Sequence, residues 1–180
     1  MSAGHGHIDP SNKKIALLIA VLALVLAFSE TLGKSQTNAL SLNIEASNLW
    51  SFFQAKTIRQ TVVRTAAEQT SLTGNSEEAK KQIEAWRKTA QRYQTEPETG
   101  EGRDELMARA KEAEKKRDRS MAAYHQYELA SAAVQIAIVL ASAAIVTGAM
   151  ALAWIGAGLG VVGVAFCLIG FFAPTSVHVF

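Results

Sequence analysis

An all-α protein is predicted, with three transmembrane helices and a long helical, coiled-coil-like extramembrane stalk between the first and second spans. Three observations carry this expectation. All 34 Lys, Arg, Asp and Glu residues lie in the first 128 positions of the 180-residue chain, so residues 129–180 form a charge-free run of 52. A soluble domain must solvate its whole surface and does not segregate its charge so completely. Two stretches are apolar over lengths on the scale of a bilayer. Finally, there are only three prolines, Pro10, Pro97 and Pro174, and the long intervals between them permit uninterrupted helices.

The first apolar run is Ile15 to Phe28, with Lys14 before it and Lys34 after it. Residues 15–33 span about 28 Å as a helix, close to a hydrocarbon core of about 30 Å. Asp9-Pro10 supplies an N-cap and first-turn pair. Glu30, four residues before Lys34, is placed to pair with it on one helix face. Lys13-Lys14, the apolar run and Ala27-Phe28-Ser29 together resemble a signal peptide. An uncleaved anchor is the preferred reading.

The second apolar block runs from Leu129 to Ala173. One helix of that length would be about 68 Å long, more than twice the bilayer core. Two spans, 129–147 and 152–172, joined by a turn near Thr147-Gly148, fit better. In the last span Ala149, Ala153, Gly156, Gly160, Gly163, Cys167 and Gly170 follow a 4-3-4-3-4-3 step. This is a seam of small residues on one face, where backbones can approach closely without a hydrophobic driving force from lipid. Intramolecular packing of the hairpin and contact between copies are both open readings of it. The preceding span carries Ala130, Ala133, Ala137, Ala141, Ala144 and Gly148 near one face.

Between these blocks lie residues 34–128, too long for a structureless loop. The first helix is expected to continue to about residue 71. A second starts at Asn75, with Glu78 as a capping-box partner, and stops before Pro97; Ile83, Trp86, Ala90 and Tyr93 step along its face. The acidic hinge 95–102 follows. A third helix starts near Arg103. Its row Leu106, Ala110, Ala113, Arg117, Ser120, Tyr124, Tyr127 meets no Gly or Pro before Gly148, so it runs into the second span. Residues 1–14 and 173–180 are read as tails.

Residues 35–55 carry one charge, Glu45. Leu42, Ala46, Leu49 and Phe53 suit a bundle core, whereas Trp50 and Phe52 point elsewhere. Trp50 lies about 24 Å beyond Lys34 along a straight helix, too far for a membrane aromatic belt. Burial within the stalk or against a further copy is the preferred reading of Trp50, Phe52, Phe53, Gln54, Lys56 and Arg59, the candidate partner or oligomer contact, and a hetero-partner site is the other. The same segment carries a resemblance. Lys34-Ser35-Gln36-Thr37, Asn43-Ile44, Trp50 through Gln54-Ala55-Lys56, and Ile58-Arg59 resemble domain-of-unknown-function family 4337. The His/Gly-rich start and the terminal apolar hairpin are similar too. The resemblance implies a small bacterial inner-membrane protein and supplies no activity or catalytic residue.

Little in the chain points to chemistry. The sequence holds no phosphate loop, dinucleotide fingerprint, nucleophile elbow or HExxH. The single Cys167 excludes an intramolecular disulfide and a Cys-based zinc site. Of the four histidines, His5, His7 and His178 sit in the tails, and His125 beside Tyr124 suits an interface better than catalysis. No catalytic residue, cofactor or metal is expected. A net charge of +2 gives no warrant for a nucleic-acid partner; membrane lipid, further copies or a membrane-protein partner are expected. Near-membrane Lys and Arg favour a cytoplasmic stalk, with Lys34, Lys115, Lys116, Arg117 and Arg119 on its side against Lys13 and Lys14 on the other. The leading expectation is a non-enzymatic, self-associating scaffold or accessory subunit. An oligomeric channel or transporter component is the alternative.

Overall fold

In a computed structural model, residues 10–32, 34–74 and 76–176 are described. They are all-α: α1 (Pro10–Leu32), α2 (Lys34–Thr73), α3 (Glu77–Gln94), α4 (Arg103–Thr147) and α5 (Met150–Phe172). The chain divides into two compact units. One comprises residues 1–39 and 118–180; the other comprises residues 40–117.

The first unit packs α1, α5 and the later part of α4. Two groups of buried side chains form its core. Ile15 meets Ala141, Ala144 and Ala153 in one, and Leu22 meets Val134 and Ala137 in the other. On α4 the inward row is Ala123, Tyr127, Ala130, Val134, Ala137, Ala141 and Ala144, all buried. This row corrects the sequence reading in one place. Val134 takes the inward position and Ala133 is half-buried beside it; Gly148, the end of the row as read from sequence, sits exposed in the turn where the turn was expected. Small side chains on α4 let α1 and α5 approach, and Val134 fills the room that alanine would leave.

The connection between α4 and α5 is two residues long. Gly148 adopts φ +72°, and its N–H donates to the Ala144 carbonyl at 2.9 Å, closing the end of α4. A glycine in the left-handed region is the usual way to end a helix without a Cβ penalty. Nothing lies within 4 Å of where a Cβ would stand on Gly148, so the requirement is conformational and not steric.

Among the described residues, three helices, Asn12–Thr73 across both α1 and α2, Arg103–Thr147 and Met150–Phe172, are long and apolar enough to cross a membrane. Only 18%, 28% and 22% of their most apolar windows is buried within the chain. Leu17, Leu24, Phe28, Val139, Trp154 and Val161 are all exposed. Outward apolar surface of that extent suits an apolar surrounding such as a bilayer.

The second unit packs α2 from Leu40, α3 and the first part of α4. Its core is Ala46, Leu49, Leu106, Ala110 and Ala113, with Trp50 and Phe53 packed against it. Ser76 caps α3, its hydroxyl accepting from the Ala79 N–H at 3.1 Å. Asn75, where the capping-box reading starts this helix, lies outside the described residues. Ile83 and Ala90 are its buried residues, with Trp86 and Tyr93 half-buried on the same face.

Candidate interaction surface

Each seam residue of the last span can be placed by what a side chain there would meet. A Cβ on Gly156 would lie 2.9 Å from the Ala137 carbonyl oxygen, and one on Gly163 would lie 2.5 Å from Val134 Cγ2 and 3.2 Å from the Ala130 carbonyl oxygen. On Gly160 it would meet Leu22 Cδ2 at 2.5 Å, and on Gly170 the Tyr127 ring at 2.7 Å. Ala153 is buried against Ile15, Ala141 and Ala144. Cys167 is half-buried, and Ala149 lies exposed just before α5. Five of the seven positions therefore face other helices of the same unit, with α4 and α1 sharing the seam between them.

The six candidate contact residues on α2 separate into two groups. Trp50, Phe53 and Lys56 turn toward the rest of their own unit. The Trp50 indole N–H donates to Glu114 Oε1 at 2.9 Å, and its ring meets Phe53 edge-on at 5.4 Å. The Arg103 guanidinium sits 5.0 Å above the Phe53 ring. Lys56 reaches Glu96 at 3.6 Å and Glu101 at 3.7 Å and lies over the Tyr93 ring. Phe52, Gln54 and Arg59 are exposed. Trp50 lies off the core row of its helix, as its spacing implies, yet it packs within its own unit; its indole needs a polar partner, and Glu114, 64 residues on, supplies one that no local pattern reveals.

A polar network ties α2, α3 and α4 together. Buried Gln60 donates to the Ala90 carbonyl and to Gln94 Oε1, both at 3.0 Å. Arg103 Nη1 donates to Gln60 Oε1 at 2.5 Å and to Gln94 Oε1 at 3.0 Å. Gln94 in turn donates to Asp104 at 2.8 Å. Beside it, Glu105 accepts from the Thr95 hydroxyl at 2.7 Å and from the Glu96 N–H at 3.3 Å. The Thr95 hydroxyl and nearby backbone N–H groups hold the Glu105 carboxyl below the usual carboxylate value of about 4.5. A carboxylate depressed by folding stabilises the native state above its unfolded pKa, and that contribution is lost as pH falls through the lower folded value. Thermal unfolding of Glu105→Gln is therefore expected to show a shallower loss of stability below about pH 4.5 than the native chain. Equal slopes would contradict this.

The residues that sequence reasoning missed lie on the other side of α2. Leu40, Ile44, Ile58, Val62 and Leu72 are 55–84% exposed, beside Phe52 at 62%. Ile44, Ile58 and Leu72 fall on a seven-residue spacing whose intervening places hold Ser51 and Thr65, which hides it from a simple apolar pattern. A second feature lies in the first unit. Ser29, Glu30, Tyr124, Tyr127, Glu128 and Gln135 line a cavity of about 320 Å³. His125 Nδ1 stands 3.8 Å from Glu128. Among the described residues no group of three His, Cys, Asp or Glu side chains is arranged to hold a metal; His5, His7 and His178 lie outside the described residues.

No curated protein and no solved structure shows a significant match to the chain. A domain of unknown function, DUF4337, matches residues 11–173, which takes in all but the two ends of the sequence, and the protein belongs to that family.

Proposed function

We propose that this chain is a non-enzymatic, multi-pass protein of the bacterial inner membrane that acts as a self-associating scaffold or accessory subunit of a membrane complex. The observation that carries this reading is the two-sidedness of α2. One face packs Ala46, Leu49 and Phe53 into its own unit, while Ile44, Phe52, Ile58 and Val62 lie exposed elsewhere around the helix. A solvated helix seldom keeps large apolar side chains on a face with nothing to cover it, and such a row marks an interaction site. Lys34, Lys115, Lys116, Arg117 and Arg119, close to the ends of the spans, outnumber Lys13 and Lys14 on the other side and support a cytoplasmic location for residues 40–117. Detergent-purified protein is expected to run as an oligomer, or with a stoichiometric membrane partner, in light scattering. A lone monomer that brings down no partner would contradict the proposal.

The cavity holding Glu30 and Glu128 favours a second reading, a subunit of an oligomeric channel or transporter. Carboxylates at the edge of an apolar span are costly unless they serve a polar path or pairing. Ion flux in liposomes that is lost in Glu30→Gln would support it over the scaffold.

A further inference from the structure

From the exposed face of α2 we infer a parallel, in-register coiled coil between two copies of this chain, running from Ile44 to Leu72. The inference deepens the self-association reading above and rests on it. Ile44, Ser51, Ile58, Thr65 and Leu72 recur every seven residues, and all five are exposed. Between them fall Asn48, Ala55, Val62 and Gln69, also exposed, at the alternate core positions of the same heptad. None of the nine is charged, although α2 carries Glu45, Lys56, Arg59, Arg64 and Glu68 around it. Such a row seats its side chains in the gaps of a partner helix with the same repeat. A second α2 is such a helix.

The order of the two copies follows from the amides. In register and parallel, Asn48 meets Asn48 and Gln69 meets Gln69. Each amide carries both donors and an acceptor, so like pairs satisfy one another. In the antiparallel registers that overlap most of the row, one amide is instead set against Ile44, Ile58 or Leu72, an unsatisfied burial. A polar residue at an inner heptad position is a known means of setting register and copy number. The flanks agree with this order. Ser47, Gln54 and Thr61 face Phe52, Arg59 and Ala66 of the other copy, so no like charges meet. The row is about 42 Å long on a helix about 10 Å across, a strip on the order of 400 Å² in projection on each copy.

The test uses the full chain with Cys167→Ser, reconstituted in liposomes and exposed to a mild oxidant. Ile58→Cys is expected to form a disulfide-linked dimer. Arg64→Cys, exposed on the same helix but off the row, is expected to form no disulfide-linked dimer. A native chain that is dimeric while Ile58→Cys is oxidised no more than Arg64→Cys would overturn the row and leave self-association standing. A monomeric native chain would overturn both. A mixture of Ile58→Cys chains with Val62→Cys or Ala55→Cys chains that links only one variant to the other would show antiparallel order and overturn the register. In the cells that express it, a link from Ile58→Cys to a different protein alone would overturn the second copy as occupant.

Discussion

Replacing Gly156 by leucine is expected to destabilise the membrane unit by about 3 kcal/mol, a fall of roughly 6–12 °C in the thermal midpoint of the detergent-solubilised chain. The cause is the Ala137 carbonyl oxygen, 2.9 Å from where the first side-chain carbon must stand. That oxygen belongs to the backbone of α4 and cannot swing aside, so α5 must move away from α4. The comparison lies two residues on. Gly158 has nothing within 4 Å of its Cβ position, so Gly158→Leu adds the same atoms to an open face. Its effect is expected within about 0.5 kcal/mol. Gly160→Leu falls between them, because the atom it meets is the end of the flexible Leu22 side chain. Equal midpoints for the Gly156 and Gly158 variants would show that close approach at the seam does not hold the unit together.

The second large effect is expected in the charged unit. Arg103→Met removes two hydrogen bonds from a cationic donor to Gln60 and Gln94, and it strips the cation from above the Phe53 ring. Hydrogen bonds to charged groups contribute about 1.5–3 kcal/mol, and the Gln60 oxygen left behind is in a buried side chain. A loss of about 2–3 kcal/mol is expected. Gln60→Leu alone is also destabilising, since Gln60 holds the Ala90 carbonyl. The double variant should lose less than the two single losses combined, because the two side chains act on each other. Strict additivity in thermal unfolding would mean that the Arg103–Gln60 pair carries no coupling.

Much of the architecture is legible in the sequence because bilayer thickness and helix rise are fixed lengths. An apolar block from Leu129 to Ala173 is too long for one span, and Gly148 is the residue that can turn between two. Within a span the periodicity names the inward face but not its occupants. Ala133 and Val134 are neighbours, and which of them points inward depends on how α4 rolls against α1, a matter decided by the volumes of Leu18, Leu22 and Leu26. The contact residues on α2 were harder to read. Trp50 and Phe52 both break the core pattern, yet only Phe52 stays exposed, because Trp50 finds Glu114 on a helix distant in sequence. The heptad row escaped notice for a chemical reason. Ser51, Thr65, Asn48 and Gln69 dilute its apolar content, and its regularity becomes plain only once the opposite face of α2 is seen to be occupied by the core.

The claim on which the account turns is that this family member joins copies of itself through α2. Native mass spectrometry of the full chain released from lipid discs, extracted directly from the membrane of expressing cells, tests it most directly. A species of twice the 19.3 kDa chain is expected, lost on Ile58→Glu while the variant stays folded and membrane-bound. A single-chain species for the native protein, or a dimer indifferent to Ile58→Glu, would contradict it.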